Sequence, residues 1–150
     1  MISCSLEETM DIAAKMAQQA KAGDIICLSG TLGAGKTAFA KGFAKGLGVK
    51  GYVNSPTFTL MQVYDDESSK LPLYHFDLYR LAEQLNEETQ IDEDTLDDIG
   101  FFEYLGDDGV CLIEWAEFAR DLIPKTADWI NIEICDDNCR QITLYKGEDR

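Results

Sequence analysis

The chain has 150 residues, of which 45% are hydrophobic and 27% are charged, as in an ordinary water-soluble globular protein. This length predicts one domain, over residues 1–150, with room for a hydrophobic core. The 28 acidic and 13 basic residues give a net charge of −15, and a surface this negative repels phosphate backbones. We therefore do not expect the chain to bind nucleic acid strongly by itself, although the charge could attract a basic protein partner.

The five cysteines predict reduced thiols. Their number is odd, and Cys27 and Cys111 fall in apolar segments that are predicted as core strands. Cys135 and Cys139 do not form a zinc site, because the chain has a single histidine. We see no basic and apolar leader at the N-terminus and no apolar run of membrane-spanning length, so we expect a cytoplasmic protein without membrane association.

The first predicted elements are a helix and a buried strand. Ser5 and Glu8 have the spacing of a helix capping box, and apolar residues recur at helical spacing over residues 10–20. Gly23 ends this helix. The apolar run over residues 25–28 is typical of a buried strand.

Residues 30–37 match the phosphate-binding pattern G-x-x-x-x-G-K-[ST] at every fixed position. They lie between the predicted strand and an amphipathic helix that Gly48 ends, a context that disfavours a mere glycine-rich turn. Such a loop turns its backbone amides around phosphates at the positive end of the helix. Lys36 would reach the outer phosphates, and the hydroxyl of Thr37 would bind Mg²⁺. The expected nucleotide contacts are Gly33, Ala34, Gly35, Lys36, Thr37 and Ala38.

A loop constrained by Pro56 leads into two predicted strands, one up to Tyr64 and one over residues 73–79. A polar turn joins them, which predicts an antiparallel hairpin inserted after the helix that follows the glycine loop. Switch-type nucleotide enzymes place a hydroxyl in this region that closes over the outer phosphate and Mg²⁺. Thr57 fits that role, but Ser55 and Thr57 could equally satisfy only the backbone of a turn.

Three polar residues of the second strand could carry chemistry. His75 and Asp77 alternate along the strand and therefore share one face. Asp77 could accept a hydrogen bond from an attacking water or reach the water shell of a metal. We assign His75 a structural role, because a lone strand histidine is usually a core residue. Arg80 could offset phosphate charge in the transition state, or simply pair with acidic neighbours.

The second half of the chain adds an acidic segment and further strands. Residues 83–98 are predicted to be exposed and partly helical. Residues 110–113 form a second apolar core strand, and residues 129–134 and 142–145 alternate as strands. The predicted fold class is α/β, a single-domain P-loop NTPase with a mixed β-sheet flanked by helices.

Glu114 ends the second core strand. P-loop proteins place the carboxylate that orients Mg²⁺ at such a position, so we favour a metal role for Glu114 over that of a solvated strand end. Trp115 could pack in the core, stack on a base or face a partner, and the sequence leaves these three possibilities open.

Four blocks of sequence, in this order and at this spacing, resemble the bacterial TsaE (YjeE) family: residues 30–37, 55–60, 75–80 and 113–117. The resemblance extends from the first helix to about residue 146. It implies a small Mg²⁺-dependent ATPase, weak alone and stimulated by partners, that is needed to make threonylcarbamoyladenosine beside the anticodon of certain tRNAs. The partners implied are the catalytic transferase subunit and its inactive paralogue. ATP turnover would reset the complex that these two proteins form.

The resemblance also implies roles for individual residues. By motif, Lys36 contacts phosphates, Thr37 and Glu114 hold Mg²⁺, Asp77 assists hydrolysis, and Thr57 belongs to a switch loop over residues 55–58. The family's adenine position points loosely to Leu6 and Arg140. The chain departs from many members at Thr31, where an acidic or amide residue is common, and in its longer acidic segment.

Two other functions would share the glycine loop. A small-molecule kinase usually needs a basic lid, and the sequence has no arginine-rich segment of that kind. A non-catalytic scaffold that binds ATP and signals its state to a partner would fit the same motifs. The sequence has no N-K-x-D-type guanine signature, so ATP and ADP are the expected ligands.

Overall fold

One seven-stranded sheet organises the residues that this computed structural model describes, which are 1–51, 53–83, 85–86, 89–106 and 108–149. The strands are β1 (Ile2–Ser3), β2 (Ile25–Ser29), β3 (Met61–Tyr64), β4 (Leu73–Asp77), β5 (Val110–Glu114), β6 (Asp128–Ile134) and β7 (Arg140–Tyr145). Their order across the sheet is β1-β7-β6-β2-β5-β4-β3. β2 pairs in parallel with β5 and β6, and β4 with β5, whereas the other pairs are antiparallel. The predicted α/β class with a mixed sheet is confirmed.

The central strands are apolar because both faces of the sheet are covered. All five residues of β5 are buried, as are the first four of β2. On one face the core includes Phe39 and Phe43, and on the other it includes Phe76 and Phe101. The carboxyl ends of β2, β4 and β5 meet at one edge, which is where parallel sheets bind ligands.

The first two helices lie close to their predicted positions, whereas the strand predicted over residues 73–79 ends at Asp77 and a helix begins at Tyr79. The helices are α1 (Leu6–Gln18), α2 (Lys36–Gly46), α3 (Tyr79–Ala82), α4 (Glu93–Asp98) and α5 (Phe101–Tyr104), followed by a 3₁₀ helix over Ala116–Leu122. The Ser5 cap of α1 is confirmed, because Glu8 N donates to Ser5 Oγ at 3.0 Å. Glu8 reaches back as expected, but its Oε2 accepts from Cys4 N, one residue before the cap, at 2.7 Å. None of the helices that the structure describes combines the length and the apolar character needed to cross a membrane.

The acidic segment is partly helical, as predicted, and most of its described acidic side chains are exposed. It is anchored by Ile91 and Leu96, which are buried in the core beside β4 and β5. Gln84, Glu87 and Glu88 of this segment lie outside the described residues. The segment is therefore an acidic surface fixed to the body by two apolar side chains.

The prediction that all cysteines are reduced is wrong for Cys4 and Cys139, which form a disulfide. The two residues are 135 positions apart in sequence, but the antiparallel pairing of β1 with β7 brings their Cα atoms to 3.9 Å. A pairing between two distant strands leaves no local signal in the sequence. Cys27 and Cys135 are free thiols, whereas the Cys111 thiol donates to the carbonyl oxygen of Tyr104 at 2.9 Å. Burial raises the pKa of Cys27, so that it stays protonated.

Candidate functional site

The glycine loop joins β2 to α2 and forms one wall of a cavity of about 550 Å³. Gly35 has a φ of 110°, a left-handed conformation that favours glycine. A Cβ on Gly30 would lie 2.4 Å from the carbonyl oxygen of Ile132, so only glycine fits against β6. Among the described residues, the amides of Lys36, Thr37 and Ala38 at the start of α2 have no hydrogen-bond acceptor. This arrangement is suited to an anion.

Most of the residues predicted to contact a nucleotide line this cavity. They are Leu6, Gly33, Gly35, Lys36, Thr37 and Ala38. The side chain of Ala34 is instead buried in the core, and its carbonyl oxygen accepts a hydrogen bond from Arg140 Nε at 3.0 Å. Arg140 Nη2 also donates to Gly33 O at 3.4 Å, so the guanidinium contacts the outside of the loop. Leu6 is 69% exposed at the cavity rim.

Lys36 is buried at the floor of the cavity. Its ammonium group donates to the carbonyl oxygens of Gly30 and, at 3.1 Å, Thr31. The same Nζ lies 3.8 Å from the centre of the Trp115 ring, a cation–π contact. Trp115 has a φ of 60° and packs against Tyr79 at 5.1 Å. The indole packs against Tyr79 and Lys36 and lines the cavity, and its stacking on a base or contact with a partner stays a prediction.

Three carboxylates surround this lysine. Burial lowers the pKa of Lys36, and the negative charges of Glu117, Glu114 and Asp77 oppose that effect. A cation held among acidic groups is well placed to contact phosphate oxygens that enter the cavity. Without the charge of Lys36, the carboxylates of the site would repel phosphate oxygens.

Asp77 and Glu114 lie side by side at the ends of β4 and β5, where they are paired in register. Their exposed fractions are 3% and 2%, and both line the cavity. Ser55 Oγ lies between them, in contact with Asp77 Oδ2 and 3.0 Å from Glu114 Oε2. Thr57 Oγ1 donates to Asp77 Oδ2 at 2.9 Å. The loop predicted as a switch is therefore attached by its hydroxyl groups to the carboxylates rather than to its own turn.

The donor set fits Mg²⁺. Thr37, Asp77 and Glu114 bring a hydroxyl and two carboxylates to one cavity, and oxygen is the ligand that Mg²⁺ prefers. Ser55 has only one hydroxyl hydrogen to share between two neighbouring carboxylates, which leaves negative charge for a cation to neutralise. Within the described residues, no group of three His, Cys, Asp or Glu side chains could hold a metal alone.

Two further residues lie near the site: His75, for which the sequence indicated only a structural role, and Arg80, for which it left a charge-offsetting role and a simple ion pair both open. His75 is fully buried, and its Nε2 lies 2.7 Å from Glu114 Oε2. The alternation of His75 with Asp77 along the strand was the sequence signal that could have placed His75 beside the site. Arg80 Nη1 lies 3.5 Å from the carbonyl oxygen of Phe58, and its guanidinium packs on that exposed ring at 5.4 Å.

Glu117 is a half-buried residue whose carboxylate interacts electrostatically with Lys36. Its Oε2 has no hydrogen-bond partner among the described residues. Burial raises the pKa of Glu117, and the charges of Lys36 and Arg120 only partly oppose this. Because its pKa is raised in the folded state, the carboxyl contributes stability below its ordinary pKa and loses that contribution as the pH rises through the raised value.

We therefore expect Glu117→Gln to increase the free energy of unfolding at pH 7. The difference in the free energy of unfolding between pH 7 and pH 5 should be smaller in this variant than in the wild-type protein. The amide has the same shape but carries no charge to desolvate. Urea unfolding at both pH values would measure this, with the exposed Glu133→Gln as the control for loss of one charge. A less stable Glu117→Gln protein at pH 7 would show instead that the ionised carboxylate is stabilising.

Comparisons with known proteins agree with the geometry. A family model described as Threonylcarbamoyl adenosine biosynthesis protein TsaE matches residues 3–142. The tRNA threonylcarbamoyladenosine biosynthesis protein TsaE of Bacillus subtilis (strain 168) is 46% identical over 138 residues, which are 92% of this chain and 79% of that protein. The protein of the same name from Treponema pallidum (strain Nichols) is 38% identical, covering 95% of this chain and 97% of its own.

A solved structure shows the same fold. The crystal structure of Bacillus subtilis YdiB is similar to this chain with a TM-score of 0.78 and 38% sequence identity. The match covers 99% of this chain and 84% of the YdiB chain. Since the family model spans most of the sequence and these relatives align over nearly all of it, the chain belongs to the TsaE family.

Proposed function

We propose that this protein is a Mg²⁺-dependent ATPase that acts in the biosynthesis of threonylcarbamoyladenosine in tRNA. The observation that carries the proposal is the convergence of Lys36, Thr37, Asp77 and Glu114 on the cavity beside the glycine loop. The names of the relatives support the pathway, since they are tRNA threonylcarbamoyladenosine biosynthesis proteins.

In the proposed mechanism, the amides of the glycine loop and the ammonium group of Lys36 hold the phosphates of ATP. Thr37 and Glu114 would hold the Mg²⁺ ion, which neutralises charge that develops on the phosphates during cleavage. Asp77 orients the attacking water and accepts its proton. The loop with Thr57 closes over the outer phosphate.

The base end of the nucleotide is proposed to lie at the cavity rim. Leu6 is exposed there and offers apolar surface to a flat adenine ring. Arg140 acts from outside the loop, where its bonds to the carbonyl oxygens of Gly33 and Ala34 hold the backbone in the shape that the phosphates need.

The proposed partners are the catalytic transferase subunit and its inactive paralogue, and the proposed location is the cytoplasm. ATP turnover resets their complex between rounds of tRNA modification, while the transfer of the threonylcarbamoyl group belongs to the partner. The net charge of −15 supports this division, since an acidic chain is poorly suited to hold tRNA itself.

We expect phosphate release from ATP to be slow for the protein alone, to rise with the transferase heterodimer of the same organism, and to stop when EDTA removes Mg²⁺. A phosphate-release assay over these conditions measures all three effects. Background release with the heterodimer present would leave a nucleotide-dependent scaffold as the function. Labelled phosphate that appears on a metabolite rather than in water would identify a kinase.

A further inference from the structure

The carboxylate of Glu114 has a fixed orientation because one of its oxygens is held from behind. Oε2 accepts from the ring of His75, and the Nε2 to Oε2 distance is 2.7 Å. His75 is 0% exposed and Glu114 is 2% exposed, so little water competes for this contact. Oε1 makes no hydrogen bond within the described residues and is not among their buried, unpartnered atoms, so it faces the cavity.

Ser55 is the other group near Oε2, and it is the poorer donor. Its single hydroxyl hydrogen can point to Asp77 or to Glu114, and the contact with Asp77 is the shorter of the two. When that hydrogen points to Asp77, His75 is the donor to the Glu114 carboxylate that remains in the part of the chain described by the structure. The ring Nδ1 of His75 is buried without a hydrogen-bond partner among the described residues, and Nε2 is the ring nitrogen that faces Glu114.

We propose that His75 is a positioning residue for the metal site: its Nε2–H holds Oε2 of Glu114 so that Oε1 points to the Mg²⁺ position beside Thr37. The inference rests on the proposed function, since it assigns Glu114 to the metal. It gives His75 a part in metal binding beyond the structural role that the sequence indicated. Groups that orient a metal-binding carboxylate typically change metal affinity by about 10–100-fold when they are removed.

A matched pair of variants tests this. In His75→Gln the amide nitrogen can occupy the place of Nε2, whereas in His75→Asn the shorter amide lies near the place of Nδ1 and does not reach Glu114. Both variants remain polar and remove the ring. Phe76→Leu, which trims the adjacent side chain on the opposite face of β4, is the control for loss of packing in that strand.

The measurement is Mn²⁺ binding in the presence of ADP, followed by electron paramagnetic resonance, with thermal unfolding recorded for every variant. We expect about a 10–100-fold weaker Mn²⁺ affinity for His75→Asn, and values near wild type for His75→Gln and Phe76→Leu. ADP affinity in EDTA should be the same in all four proteins.

The outcomes distinguish this inference from the function on which it rests. If the wild-type protein binds Mn²⁺ no better with ADP than without it, both proposals are wrong. If wild type binds Mn²⁺ with ADP and His75→Asn binds it equally well, only the positioning role is wrong. Equal loss of affinity in His75→Gln and His75→Asn, or in Phe76→Leu, would also overturn the positioning role, because packing would then explain the effect.

Discussion

Lys36→Ala is expected to abolish nucleotide binding, with an affinity loss of about 100-fold or more. Charged hydrogen bonds contribute about 1.5–3 kcal/mol each, and about 1.4 kcal/mol corresponds to a factor of ten. Loss of two proposed bonds of this kind to phosphate oxygens would account for such a decrease. The variant also leaves Glu117, Glu114 and Asp77 without the cation that offsets them, so the cavity would repel the nucleotide. Isothermal titration with ADP and Mg²⁺ measures the effect.

Lys45→Ala is the matched control, since Lys45 is exposed in the last turn of the same helix and does not line the cavity. It should bind ADP with wild-type affinity. Thermal unfolding would show whether Lys36→Ala remains folded, because the ammonium also bonds to the loop at Gly30 and Thr31. A folded Lys36→Ala protein with wild-type affinity would contradict the assignment of the loop to phosphates.

The local features of the fold could be predicted because they depend on neighbouring residues. The glycine loop needs a strand before it and a helix after it, and residues 25–28 and α2 carry both signals within a short stretch. β5 could be predicted because a strand that is buried on both faces has a continuous apolar sequence. The end of that apolar run located Glu114. The hairpin of β3 and β4 followed from Pro56 and a polar turn.

The contacts between distant segments could not be predicted in the same way. The contact between His75 and Glu114 depends on which strands are neighbours in the sheet, and β4 and β5 are separated by the acidic segment. The disulfide between Cys4 and Cys139 depends equally on the pairing of β1 with β7. Side-chain type and spacing indicate that Asp77 and Glu114 end their strands, but only the sheet order places them side by side.

The loop over residues 55–58 shows the same limit of sequence-based prediction within a short segment. Its sequence was compatible with Ser55 and Thr57 satisfying only a turn, because Ser and Thr hydroxyls commonly bond to nearby backbone. In the structure both hydroxyls contact Asp77, which lies 22 residues after Ser55 and 20 residues after Thr57 in the sequence. Pro56 lies between them and disfavours helical conformation at Ser55, the residue that precedes it.

Asp77→Asn is expected to keep nucleotide binding and to lower partner-stimulated turnover by about 100-fold or more. A positioned general base contributes about 10²–10⁴-fold to a rate, and the amide cannot accept the proton of the attacking water. The amide keeps the shape and one acceptor oxygen, so the bond from Tyr79 N to Asp77 Oδ1, at 2.9 Å, can survive. ADP affinity should be unchanged or slightly higher, because one negative charge near the phosphates is removed.

Single-turnover hydrolysis with the transferase heterodimer separates this loss from effects on product release, and Asp137→Asn, in an exposed turn, controls for the lost charge. Asp77→Ala, which also removes the acceptors used by Thr57 and Ser55, should be at least as slow. Wild-type turnover in Asp77→Asn would exclude Asp77 as the base. A loss of ADP affinity as large as the loss of rate would place Asp77 among the groups that bind nucleotide or metal, because a base that acts only in the transition state leaves ground-state binding unchanged.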